Sequence, residues 1–219
     1  MARDTNISKK IWKILDRSPQ ITKNLNHNLI NIRALAKYII KEEKIDATLD
    51  SVISSIRRYE YDSSDNIFEK AYQLIHKTNA ILTRSPLIEI AVVKDTEVQK
   101  KLSQLFSIIR YNAGEVLRII QGDGAIKIII DKKNLEKVKT LFLEQDIIDI
   151  EQDIGEISVH MHPEGGRTPG VLAILGNELA LNGINVKEIM SCLPELMWFV
   201  DEKDIPKAYN VLYQLWKEK

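Results

Sequence analysis

Apolar residues in the N-terminal part of the chain recur at the three- and four-residue spacing of amphipathic helices, in short blocks. Ser8 reads as a cap ahead of Ile11, Ile14 and Leu15, and Ser18-Pro19 opens a second block with Ile21, Leu25 and Leu29. Asn31 caps a third, with Ile32, Leu35, Ala36, Ile39 and Ile40 on one face. Thr48 caps a fourth, with Leu49, Val52, Ile53, Ile56 and Tyr59 turned inward. The polar run Tyr61-Asp62-Ser63-Ser64-Asp65-Asn66 ends this region, and the stripe Ile67, Ala71, Leu74, Ile75, Thr78 and Leu82 predicts a connector helix after it.

From Pro86 the pattern becomes strand, helix, strand, strand, helix, strand, over Leu87–Val93, Glu97–Tyr111, Val116–Gln121, Ala125–Ile130, Asn134–Leu143 and Ile147–Glu151. Gly122-Asp123-Gly124 between two β-rich runs is a hairpin signal. A second series starts at Glu156, where Ile157, Val159 and Met161 alternate with polar residues until Pro163 and Gly165-Gly166 stop the strand. Thr168 and Pro169 stand at N-cap and first-turn positions of a helix bearing Val171, Leu172, Ile174, Leu175 and Leu179. Asn182-Gly183 ends it, Ile184-Asn185-Val186 enters another strand, Leu196–Val200 gives a third, and a final helix starts near Asp204.

A glycine-rich loop that opens onto a helix start presents backbone N–H groups and the positive end of the helix dipole to a small anion such as a carboxylate. Thr168-Pro169-Gly170-Val171 followed by Gly183-Ile184-Asn185-Val186 resembles the ACT domain, a small-molecule-sensing module of amino-acid metabolism. The resemblance covers residues 86–219 as two units in tandem, and with the helical module the layout is similar to predicted archaeal regulators of amino-acid metabolism. It implies an α+β protein: an all-α, helix-turn-helix-like domain (1–61), a linker and connector helix (62–85), and two ferredoxin-like βαββαβ ACT-type units. The first unit (86–153) is degenerate; the second (154–219) lacks a clear fourth strand.

The implied amino-acid site comprises Gly165, Gly166, Arg167, Thr168, Pro169, Gly170 and Val171, with Asn185 and Val186 from the following strand, often contributed by a paired domain. The first unit reads Lys94-Asp95-Thr96-Glu97 at the equivalent loop, so negative charge stands where a ligand's carboxylate would sit, and a structural role is expected for it. Turn glycines in a domain that only joins subunits are the blander reading of the same motif.

Charge changes the picture of the N-terminal module. The chain is neutral overall, with 31 basic and 31 acidic residues, yet residues 1–61 hold 12 Lys and Arg against 7 Asp and Glu. Ser51, Ser54, Ser55, Arg57 and Arg58 would share the outer side of the fourth helix, a set of short hydroxyls and guanidinium groups suited to DNA. A small bundle that docks on protein fits the same surface.

No apolar run reaches the roughly 20 residues of a membrane helix, and the lone Cys192 excludes an intrachain disulfide, so a cytoplasmic protein is expected. His160 and His162 lack an evident third metal ligand, and neither a phosphate-loop nor a nucleophile-elbow motif is present. The reading is a non-enzymatic regulator without metal or cofactor, dimeric, with an amino-acid effector and DNA as candidate partners. Its rivals are a regulatory subunit acting on a biosynthetic enzyme and an oligomerisation scaffold.

Overall fold

The computed structural model describes residues 2–26, 28–59 and 65–217, so the expected boundary at 61–64 lies outside the described residues. The chain divides into two compact units, 1–66 and 67–219.

The first unit contains helices α1 (Ala2–Asp16), α2 (Pro19–Asn26), α3 (Ile32–Glu42) and α4 (Leu49–Arg57). Asn31 and Thr48 cap α3 and α4, accepting the N–H groups of Ala34 and Ser51 as their side-chain chemistry dictates. Ile11, Leu15, Leu35, Ala36, Ile39, Ile45, Val52 and Ile56 close the core. Two expectations change. Ser8 lies inside α1 rather than capping it, and Ser55 is fully buried rather than on the outer side of α4. The Ser55 hydroxyl donates to the Ser51 carbonyl at 2.9 Å and lies 3.0 Å from the Ser8 hydroxyl, while its own carbonyl accepts the Trp12 indole N–H. A short hydroxyl whose partners are all internal can sit in a core at little cost.

The second unit is built on one antiparallel sheet of six strands: β1 (Ala80–Val93), β2 (Leu117–Gln121), β3 (Ala125–Asp131), β4 (Ile147–His160), β5 (Val186–Cys192) and β6 (Glu195–Asp201), in the order β2-β3-β1-β4-β6-β5. Its helices are α5 (Asp65–Ile75), α6 (Thr96–Ile108), α7 (Leu135–Lys139), α8 (Val171–Leu181) and α9 (Ile205–Lys217). Strands β1 and β4 are long and serve both halves. Residues 87–93 of β1 pair with β3 and with the start of β4, completing the first βαββαβ circuit.

The other end of β1, Ala80–Arg84, pairs with Glu156–His160 and supplies the strand that the second circuit was expected to lack. Thus the connector helix ends at Ile75, Leu82 belongs to a strand, and the expected unit boundary at 153/154 falls within β4.

The sheet doubles back on itself. β3 and β5 stand four places apart, which on a flat sheet separates them by roughly 19 Å, yet Lys127 of β3 and Glu188 of β5 form an ion pair. Register shifts between Arg84 and Glu89 in β1, and a left-handed Asp153 in β4, lie where the strands pass from one half to the other. The inner faces therefore meet around Leu87, Val116, Ile129, Ile154, Met197 and Phe199. Each outer face carries its own helices: α6 and α7 over Ile88, Ile90, Ile126 and Ile128, and α5, α8 and α9 over Ile157, Val159, Trp198 and Val200.

Charged groups cross the same seam. Glu156, wholly buried, accepts Nε and Nη2 of Arg118 at 3.1 Å each and the Ser158 hydroxyl at 2.7 Å, with Arg84 Nε 3.7 Å away. Lys187 of β5 reaches Glu151 and, at 2.7 Å, Asp201. Burial raises the pKa of Glu89 despite a 2.9 Å contact with Lys127. Burial opposes the charge on Lys127, but hydrogen bonds to Glu188 and Glu89 outweigh it and raise that pKa.

Candidate functional site

Beyond His160 the chain leaves β4, and the Met161 N–H bonds to the Pro194 carbonyl at 2.9 Å. Gly165–Arg167 make one tight turn, entered through a 2.7 Å bond from the Gly165 N–H to the His162 carbonyl. A side chain at either glycine forces a neighbour to shift: a Cβ on Gly165 would overlap the buried Met161 side chain, and one on Gly166 would overlap the end of the exposed Leu193 side chain. The Thr168 hydroxyl donates to the Glu164 carbonyl at 2.8 Å, so Thr168 closes the turn rather than capping α8.

The residue at the N-cap of α8 is Gly170, at φ +91°, a left-handed conformation that glycine adopts freely. It contributes no side chain, and α8 starts without a side-chain cap. One flank of this start is covered by the protein itself, since Phe68 and Ala71 of α5 lie 3.5 Å from where a Gly170 Cβ would be.

Val171 and Leu172 in the first turn of α8 border a cleft of about 230 Å³. Its walls are Gly165, Gly166 and Thr168 from the loop, Val171 and Leu172 from α8, Ile189, Met190 and Ser191 from β5, Leu193 from the β5–β6 turn, and Leu196. The topology explains why β5 takes part: β4 and β5 are each antiparallel to β6, so they run in one direction and end at the same edge.

Four of the residues expected at the site, Gly165, Gly166, Thr168 and Val171, thus come together, whereas Arg167, Pro169 and Gly170 do not line the cleft. Asn185 and Val186 lie at the other end of β5, where Val186 pairs with Val200 while Cys192 pairs with Glu195 beside the loop. The length of the strand, roughly 20 Å, separates them from the cleft within one chain. The β5 side of the cleft was not among the expected site residues. Its only sequence signal is that a strand returns after Asn182-Gly183; that the far end lies beside the loop follows from the sheet order.

The corresponding loop of the first half is short and closed. The Asp95 carboxylate accepts the Val98 N–H at 2.7 Å and caps α6.

His160 Nε2 lies 3.4 Å from Glu195 Oε1 without a hydrogen-bond partner, and His162 Nδ1 accepts the Glu164 N–H at 3.3 Å. Among the described residues no three His, Cys, Asp or Glu side chains converge as a metal site. No helix among them is long and apolar enough to cross a membrane. In the helical unit Ser51, Ser54, Arg57 and Arg58 line an open groove together with Asp50, and Ser55 is absent from it.

A doubled antiparallel sheet with helices on its outer faces and two interlocked βαββαβ circuits is an ACT-like, ferredoxin-type architecture. More particularly, the chain is similar in structure to the regulatory subunit of aspartate kinase from Thermus flavus (TM-score 0.53, 15% identity, covering 64% of this chain and 99% of that one). It is similar to the regulatory subunit from Thermus thermophilus (TM-score 0.52, 15% identity, 65% and 99%) and to aspartokinase alpha and beta subunits (TM-score 0.52, 18% identity, 64% and 99%). At these identities the likeness establishes the fold. No protein-family model matches the sequence, and no curated protein matches it.

Proposed function

We propose that this chain is a non-enzymatic, amino-acid-sensing regulator whose effector enters the cleft between the Gly165–Gly166 turn, the start of α8 and the end of β5. The observation that carries this reading is the pairing of an uncapped helix start with an open cleft lined by that helix's first residues. Backbone N–H groups in the first turn of α8 face the effector's carboxylate, the group such a helix end favours. The similar structures from Thermus are regulatory subunits of aspartate kinase, which supports the same reading.

Asn185 joins the site through a second copy. β5 is the last strand of the sheet, and the α8 and β5 edge exposes Leu181 and Ile189. An antiparallel pairing of two β5 edges about a twofold axis at Ile189 sets Asn185 of the second copy opposite Leu193, beside the cleft. The effector then bridges two chains. Its arrival is relayed through α5, which touches the loop at Gly170 through Phe68 and Ala71 and reaches Glu164 through Lys70 at 4.0 Å.

Thermal shift and calorimetry against the twenty amino acids test the reading, because a ligand specific to the folded state raises apparent stability. A stabilising amino acid is expected, with the response lost in Gly166→Val and weakened in Asn185→Ala. No response from any of them refutes the sensing role.

For the output, the groove bearing Arg57 and Arg58 supports duplex DNA as the partner of the helical unit. Affinity for duplex DNA that falls with salt and is lost in Arg57→Ala/Arg58→Ala supports transcriptional control. Absent DNA affinity, with stable co-purification of a biosynthetic enzyme, assigns the chain to enzyme regulation instead.

A further inference from the structure

We infer that the effector is an amino acid with a branched aliphatic side chain, in the class of leucine, isoleucine and valine. The inference rests on the sensing reading above and concerns what fills the rest of the cleft. Six of its lining side chains are apolar, Val171, Leu172, Ile189, Met190, Leu193 and Leu196, and no charged side chain lines it. Leu172 and Leu193, which are 51% and 44% exposed, gather at this one opening. Large apolar side chains left in water around a cleft gain free energy when an apolar group covers them.

The polar capacity is small. Thr168 already donates its hydroxyl proton to Glu164, which leaves Ser191 and backbone groups to orient a ligand. An ammonium or carboxylate on the effector's side chain would lose water in this cleft and find no counter-charge. Size points the same way, since about 230 Å³ is below the roughly 300–1,000 Å³ of sites for drug-sized ligands. Met190 is a flexible wall that can conform to different branching patterns.

Calorimetric titration of the full chain with leucine, isoleucine, valine, alanine, lysine and aspartate decides it. Binding of the branched three is expected, at least about tenfold weaker binding of alanine, and no binding of lysine or aspartate. Leu172→Asp, at a half-exposed position where circular dichroism should show the fold intact, should weaken leucine binding by at least about tenfold; Leu193→Asp should do the same. Preferential binding of lysine or aspartate, sensitive to Leu172→Asp, overturns the aliphatic class while the sensing role stands. Leucine binding unchanged in both variants places the site elsewhere and overturns the inference. No heat or thermal shift with any protein amino acid overturns both readings.

Discussion

The two halves of the sheet unit share a strand plan but start their first helices differently. In the first, the chain passes from Val93 to Thr96 through two residues, and Asp95 folds its carboxylate over the start of α6. In the second, ten residues separate His160 from Val171, and Gly170 leaves α8 uncapped beside a cleft. The first arrangement is self-sufficient: the helix dipole and the free N–H of Val98 are satisfied internally. The second lacks that internal partner, at the end where a ligand is proposed. Under the proposed function, the first loop is what sets a sensing half apart from a supporting one, while the strands beneath stay equivalent.

The contrast between the halves is open to direct measurement. The largest effect should come from what the halves share. Arg118→Met removes the bidentate partner of a fully buried Glu156, and chemical denaturation should show a loss of about 3 kcal/mol. The double variant Arg118→Met/Glu156→Leu should recover much of it, because it leaves no buried charge unpaired.

Next is Gly155→Ala in the second half, whose added Cβ overlaps Ile205. Overpacking there should cost about 2 kcal/mol and lower the thermal midpoint. Asp95→Ala opens the start of α6 and should cost about 1 kcal/mol. If the contrast holds, this variant gains no second amino-acid site by calorimetry, because the first half has no matching long loop.

The smallest effect is a slope. Glu115, in the first half, accepts the Arg110 backbone N–H at 2.9 Å, the Asn134 amide at 3.0 Å and the charged groups of Arg110 and Lys133. These bonds, that of the Arg110 backbone foremost, hold its pKa well below the usual carboxylate range. A depressed folded-state pKa contributes stability above the unfolded value of 4.5, which is lost progressively as pH falls below it. Denaturation midpoints taken at pH 6 and pH 3.5 should therefore converge more closely in Glu115→Gln than in the wild type.

Much of the fold was legible because its signals are local. Asn31 and Thr48 announce α3 and α4 by cap chemistry, and Gly122-Asp123-Gly124 marks the turn joining β2 and β3. What escaped depends on distant pairing. Thr78 and Leu82 continue a helical spacing from Leu74, but the partner that makes Ala80–Arg84 a strand is Glu156–His160, far along the chain. Ser55 was misplaced for a similar reason: its partners on α1, Ser8 and Trp12, are invisible in the period of α4. The loop side of the candidate site follows from Gly165-Gly166 and Gly170. The β5 side needs the strand direction, which only the sheet order supplies.

The threading of β1 sets a rule for anyone who dissects this molecule. Because Ala80–Arg84 finish the sheet of the half that begins after the whole first circuit, that earlier circuit is an insertion inside the later one. A fragment starting at residue 86 or 154 bares the flank of β4 and should aggregate when expressed, whatever its effector. Domain swaps and minimal fragments made from this chain therefore have to begin upstream of Ala80 and keep both circuits, so the pair can be transplanted only as a single piece.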